Sequence, residues 1–236
     1  MPTASSSPKR KSPRARKGPG RPAGSGSGEG RAALLRAARD LMAEKGLPHV
    51  TLREVADRAG VKPALVHYYF EGKRGLLDAV IAEVGGRALA RMQQAIQSEG
   101  TPEQRLRAYI EGWVAGIAED PYFPRLAAEH VLFSEDDVID DFVERFVRPN
   151  LEMLRSLLDE GAASGAFREV DPRFLIPNIA GACLWFFLAA PLVRRVFDLD
   201  EITPEIVGQF AQSTSTLVLR GIAGPGAVAT EPSPTR

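Results

Sequence analysis

The sequence predicts an all-α fold, and three observations carry that expectation. Apolar residues recur at helical spacing from Arg31 onward. Thr101-Pro102, Asp120-Pro121, Asp171-Pro172 and Thr203-Pro204 each set a capping oxygen before a proline, the arrangement that begins a helix. No alternating run between turn signals is long enough to argue for a sheet.

The elements follow in order. Leu34, Ala38, Leu41 and Met42 share one helical face, and Gly46 stops that segment. Thr51-Leu52-Arg53-Glu54 has the pattern of a capping box, in which the threonine oxygen and the glutamate each satisfy an orphan amide. The helix it starts presents Leu52, Val55, Ala56 and Ala59 and ends at Gly60. A tight turn, Gly60-Val61-Lys62, leads to Pro63, whose fixed φ suits a first helical position. A short helix runs to Tyr69, and after Glu71-Gly72 a long one carries Leu76, Leu77, Val80, Ile81 and Val84. Beyond it the capping signals predict helices over 102–118, 121–133, 136–162, 172–196 and 204–220. Ser134 begins the third of these, with Asp136 and Asp137 near its positive end and Pro149 as a kink.

Charge divides the chain. Among its 236 residues the formal net charge is zero, yet residues 1–85 hold 16 Lys and Arg against 8 Asp and Glu, and no lysine follows Lys73. A basic first third joined to an acidic remainder points to a polyanion partner for the first part. Residues 1–28 are Ser, Pro, Gly, Lys and Arg with seven cations and no acid, a composition that predicts a disordered basic arm. Within it Gly20-Arg21-Pro22 partly resembles the minor-groove core of an AT-hook, with Pro19 where the first arginine would stand, which makes Arg21 a DNA-contact candidate. The residues from Gly224 on are again Gly-, Pro- and Thr-rich and predict a loose tail.

Composition also excludes. One cysteine, Cys183, forbids an internal disulfide framework and fits a reducing compartment, and three histidines are too few for a structural zinc site. No apolar stretch follows the basic start closely enough for a signal peptide, which predicts a cytoplasmic protein. A hydrolase would need a nucleophile, a base and an orienting group, but no Gly-x-Ser-x-Gly elbow is present. No His-x-x-x-His or Glu-x-x-His pair supports metal chemistry. No enzyme activity, metal or cofactor is expected.

The capped helix, glycine turn and short second helix make a helix-turn-helix, with Ala56 and Gly60 small at the close approach and Val55, Val61, Leu65 and Val66 packing between. The stretch Thr51–Leu77, TLREVADRAGVKPALVHYYFEGKRGLL, resembles the DNA-binding signature of the TetR family of bacterial transcriptional repressors. The features that match are Thr-Leu-Arg-x-Val-Ala, Ala59-Gly60-Val61, Tyr69-Phe70 and Lys73 with Leu76-Leu77. His67 stands where a tyrosine is usual. The resemblance implies a homodimer whose recognition helices read a palindromic operator, released by a small-molecule effector bound in a C-terminal helical domain. The corresponding division is 29–75 for DNA binding and 76–223 for effector binding and dimerisation. Candidate DNA contacts are Arg53 on the preceding helix, Lys62, Pro63, Ala64, His67, Tyr68 and Tyr69 on the recognition helix, and Lys73 at the next helix start.

By the same resemblance the helices at 172–196 and 204–220 pair across the dimer, with Leu184, Phe187, Leu188, Phe210, Leu217 and Val218 as contacts. Candidate pocket residues are Trp113, Ile117, Phe123, Leu126, His130, Phe133, Phe142, Phe146, Met153, Cys183 and Trp185, an apolar and aromatic set that suggests an apolar or aromatic effector. Two other readings stay open: an architectural DNA binder without an effector, and a membrane-anchored regulator. The second arises because Phe174–Val193 holds twenty residues without a charge, although Pro177, Asn178 and Pro191 interrupt them.

Overall fold

The computed structural model describes residues 27–224, and their regular structure is helical apart from one isolated antiparallel bridge between Phe167 and Ala223. Most of the basic arm, with Arg21, and nearly all of the tail lie outside the described residues. The helices are α1 (Ser27–Lys45), α2 (Leu52–Ala59), α3 (Ala64–Phe70), α4 (Lys73–Gln97), α5 (Pro102–Glu119), α6 (Phe123–Ala127), α7 (Asp136–Phe142), α8 (Arg148–Ala163), α9 (Pro172–Leu188), α10 (Ala190–Val196) and α11 (Pro204–Ile222). Two π turns extend this set. Ala128–Leu132 continues α6, and Val143–Val147 joins α7 to α8.

The capping box forms as its sequence requires. Thr51 accepts from the Glu54 amide while Glu54 accepts from the Thr51 amide at 3.0 Å. Gly60 closes α2 at φ 69°, left-handed backbone that favours glycine. Gly75 is required by space, because a Cβ there would lie 1.9 Å from the Phe70 carbonyl oxygen. Any side chain at residue 75 would therefore force the α3–α4 corner to shift.

Two apolar cores result. The first gathers Leu34, Ala38, Met42, Val55, Ala56, Val66, Leu76 and Val80 from α1 to α4, together with Tyr122, Leu126 and Val131. The second gathers Leu106, Tyr109, Ile110 and Val114 of α5 with Leu154 and Leu157 of α8, Ile179 and Cys183 of α9 and Ala211 of α11. Each fully buried Leu or Val contributes roughly 1.5–3 kcal/mol relative to exposure. Helix α4 belongs to both: Leu76 to Val84 enter the first core, Met92 and Ile96 the second. At 1.5 Å per residue its 25 residues span about 37 Å, a rigid rod between the two.

Several expectations change. The helix expected over 172–196 breaks at Ala189 and bends by 74° between α9 and α10. Pro191 has no amide to give the Phe187 carbonyl, so the α-helical ladder stops there. Ser134 caps nothing: its hydroxyl donates to the His130 carbonyl at 2.7 Å, and Glu135 precedes α7 without a side-chain cap. Asp120 likewise does not begin a helix. It is buried, and α6 starts at Phe123. The irregularity anticipated at Pro149 sits one turn earlier, as the π turn Val143–Val147.

Candidate functional site

The first site is the outer face of α3. Val66 and Phe70 are buried under it, and Leu65 and Tyr69 are half-buried, which leaves Lys62, Pro63, Ala64, His67 and Tyr68 on the open side. Tyr68 is 75% exposed. Tyr69 faces the protein instead, its ring packed beside Gly30 of α1 and edge-on to Tyr68 at 5.1 Å. Phe70 lies under the Arg31 guanidinium, 5.3 Å from its carbon to the ring centre. These aromatic contacts fix the tilt of α3 and hold its polar edge outward.

The surrounding cations are not equivalent. Arg53 is exposed, with only a loose 4.0 Å pairing to Asp57. Arg58 is held by Glu44 of α1 in a two-pronged ion pair at 2.8 and 2.7 Å. Lys45 donates to Glu54 at 2.6 Å; that bond, with those from Thr51, holds the Glu54 carboxyl down to about 2. Lys73 is exposed and donates one of its three N–H groups to the Val50 carbonyl at 3.0 Å, which leaves two to face solvent.

The second site is a cavity of about 230 Å³ between α4, α5, α6, α8 and α9. Gly85, Ala88, Leu89 and Met92 of α4 form one wall, Trp113 of α5 another, and Phe123, Pro124 and Ala127 of α6 with Ala128 of the following π turn a third. Phe142, Phe146, Val147 and Asn150 close it from the α7–α8 segment, and Ile176, Ala180 and Leu184 from α9. Both π turns adjoin it, through Val131 and Leu132 and through Phe146 and Val147, and such bulges recur at functional sites. Its wall holds no charged side chain.

Of the pocket candidates, Trp113, Phe123, Phe142 and Phe146 line this cavity. Ile117, Leu126 and Cys183 are packed in the cores without reaching it, and burial pushes the Cys183 thiol up to about 12. Met153 packs against the second core. Phe133, just past the end of the π turn, is 84% exposed and Trp185 60%, so neither reaches the cavity. His130 is half-buried away from the cavity, its Nε2 paired with Asp78 of α4 at 2.9 Å. Of the dimer candidates, Leu184 is half-buried and lines the cavity, and Phe187 is buried. Phe210 stacks on Phe186 at 4.0 Å, and Val218 packs on the second core. Leu188 and Leu217 are exposed, in company with Phe174, Leu192, Val196 and Phe197.

Sequence reading missed two groups. The first is an ionic cluster that ties α1 and α4 to the C-terminal end of α5. Buried Asp120 accepts from Arg39 of α1 at 3.2 and 2.8 Å, from Arg87 of α4, and from the Tyr122 hydroxyl at 3.1 Å. Glu83 of α4 pairs with the same two arginines. Nothing in the local sequence marks it, since its members are up to 81 residues apart. The second is Asn150, and here a signal existed: Phe142, Phe146 and Asn150 recur every fourth residue along one face.

A packed helix-turn-helix with an open recognition helix, tied by one long helix to a second all-helical core, defines a class: helix-turn-helix DNA-binding regulators. Residues 34–80 match the model of the tetR family of bacterial regulatory proteins, and residues 99–227 that of the tetracyclin repressor-like C-terminal domain. The chain belongs to the TetR family and is a transcriptional regulator. It is 32% identical over 128 residues to the regulator BetI of Rhizobium meliloti, covering 54% of this chain and 62% of that one. It is 25% identical to the repressor KstR2 of Mycolicibacterium smegmatis, covering 67% and 80%. Its fold is that of FadR from Bacillus subtilis, solved with stearoyl-CoA, at TM-score 0.65 and 21% identity over 81% of this chain and 98% of that one. Among the described residues no single helix is long and apolar enough to cross a membrane; α9 and α10 reach that composition only as a bent pair.

Proposed function

We propose that the chain is a homodimeric repressor that binds a palindromic operator and is released from it by a small apolar effector held in the cavity. The supporting observation is that the helices bounding the cavity also bound the DNA-reading unit. Helix α4 lines the cavity with Gly85, Ala88 and Leu89 and supports α3 with Leu76, Leu77 and Val80. Helix α6 lines it with Phe123 and Ala127 and sends Leu126 into the first core. An effector that fits only one arrangement of α4 and α6 biases the tilt of α3, and release is limited by its preference for the DNA-incompetent state.

The exposed α3 residues Lys62, Pro63, Ala64, His67 and Tyr68 read the groove, and Arg53 and Lys73 hold phosphates. Residues 29–75 form the DNA-binding unit and 76–223 the effector and dimer unit. The exposed apolar face of α9, α10 and α11 is the dimer surface, with Trp185, Leu188 and Leu217 at its centre. KstR2 is named a repressor and FadR was solved with stearoyl-CoA, which supports ligand-responsive repression as a use of this fold. The protein works in the cytoplasm and catalyses no reaction.

The test is selection of binding sequences from random duplex DNA with the full chain, then anisotropy titration on the winner. A palindrome preferred at least a thousandfold over bulk DNA is expected. Equal affinity for all duplexes would leave only an architectural role.

A further inference from the structure

The cavity wall contains a single carboxamide, and we propose that Asn150 is the hydrogen-bonding anchor for the effector, which is therefore a small neutral molecule with an acceptor such as a carbonyl oxygen on an apolar body. The proposal rests on the cavity being the effector site and adds the chemistry of what enters it.

Asn150 is 8% exposed, and its Oδ1 accepts from the hydroxyl of fully buried Tyr109 at 3.0 Å. Burial raises the Tyr109 pKa, so the phenol keeps its proton, and in the structure it gives that proton to Oδ1, which leaves the NH2 group as the other end of the amide. The Nδ2 end has no hydrogen-bond partner among the described residues. That N–H pair is available to donate to a ligand oxygen. The amide continues the stripe formed with Phe142 and Phe146, and Trp113 is the wall's other side chain with a polar group, an indole N–H. Both polar groups available are donors, so the complementary ligand group is an acceptor.

Charge is excluded by the same wall. With no cationic or anionic side chain lining the cavity, an ionised ligand would lose its hydration without compensation. Size narrows the class further. A dry apolar cavity of about 150 Å³ holds benzene, so the 230 Å³ here takes a substituted aromatic ring or a short branched chain. A long acyl chain would require the walls to part.

Acetophenone and ethylbenzene share this shape and differ by a carbonyl in place of a methylene. Their affinities for the full chain are measured by calorimetric titration, on the native sequence and on Asn150→Leu. The ratio of acetophenone to ethylbenzene affinity is expected to fall about tenfold in Asn150→Leu while ethylbenzene still binds. Using a ratio removes the unequal hydrophobicity of the two probes from the comparison. Tyr109→Phe, which loses one oxygen and keeps the ring, is expected to lower the ratio about two- to threefold, and it decides the question if Asn150→Leu does not fold. An unchanged ratio in the folded variants, or benzoate binding as tightly as acetophenone, overturns the anchor and leaves the cavity as a ligand site. Ala180→Phe fills the cavity and should abolish binding of both probes. Binding that survives it, or no binding to the native chain, removes the cavity from the effector reading and the anchor with it.

Discussion

Asp120 carries more of the architecture than its neighbours in sequence suggest. Its carboxylate is buried, whereas Arg39 and Arg87 keep 25% and 38% of their side-chain surface in solvent. Removing the negative charge therefore leaves two cations that can be partly re-solvated, and Asp120→Asn is expected to cost about 1–3 kcal/mol by denaturant titration. A midpoint equal to the native one would show that the cluster is dispensable. Glu54 makes a pH-dependent contribution. Its carboxyl is held at about 2, below its ordinary value of 4.5, by Lys45 and Thr51. A carboxylate depressed in the folded state adds stability that is complete above 4.5 and lost as pH falls towards 2. The thermal midpoint should thus drop over that interval, less steeply in Glu54→Gln; parallel curves would deny Glu54 the role.

At the level of elements, the α3–α4 corner and the α9–α11 face make separable demands. Gly75→Ala forces a Cβ onto the Phe70 carbonyl and should destabilise the recognition helix by about 1–3 kcal/mol, seen as faster amide exchange in α3. Leu217 is 74% exposed, so Leu217→Asp should leave the circular dichroism of the protomer unchanged. If α11 pairs across the dimer, sedimentation of that variant will show monomers, and operator affinity will fall more than tenfold. Dimers of native stability would move the interface elsewhere. The bend at Ala189 matters here, because it carries Leu192, Val196 and Phe197 of α10 and its end away from the protomer and widens the apolar face.

On the scale of the molecule, charge and coupling act together. The seven cations of residues 1–28 sit on a chain whose formal charge is zero, so any arm contribution to DNA binding must be strongly salt-dependent. Deleting residues 1–28 is expected to weaken operator binding and to reduce the salt slope by about 0.9 for each phosphate that the arm neutralises. An unchanged slope would assign binding to the helix-turn-helix alone. If the proposed coupling between operator and effector holds, it runs through α4, which is continuous from Lys73 to Gln97. It is reciprocal, so operator DNA should lower the affinity of a releasing ligand by the factor that the ligand lowers that of DNA.

Local chemistry was legible in the sequence: the Thr51–Glu54 capping box, the turn at Gly60 and the prolines that start α5, α9 and α11 are all short-range signals. From them came the all-helical class and the DNA-reading unit, since each depends on atoms within about one helical turn. Which apolar residues line a cavity and which merely fill a core did not follow. Phe133 and Phe146 look alike as letters, yet one is solvent-exposed and the other borders the cavity. Asp120 and Asn150 acquire their roles from Arg39, Arg87 and Tyr109, partners tens of residues away. A hydrogen-bond donor or an ionic partner brought in by helix packing has no periodicity to betray it, so only the folded chain could decide where polarity would be buried.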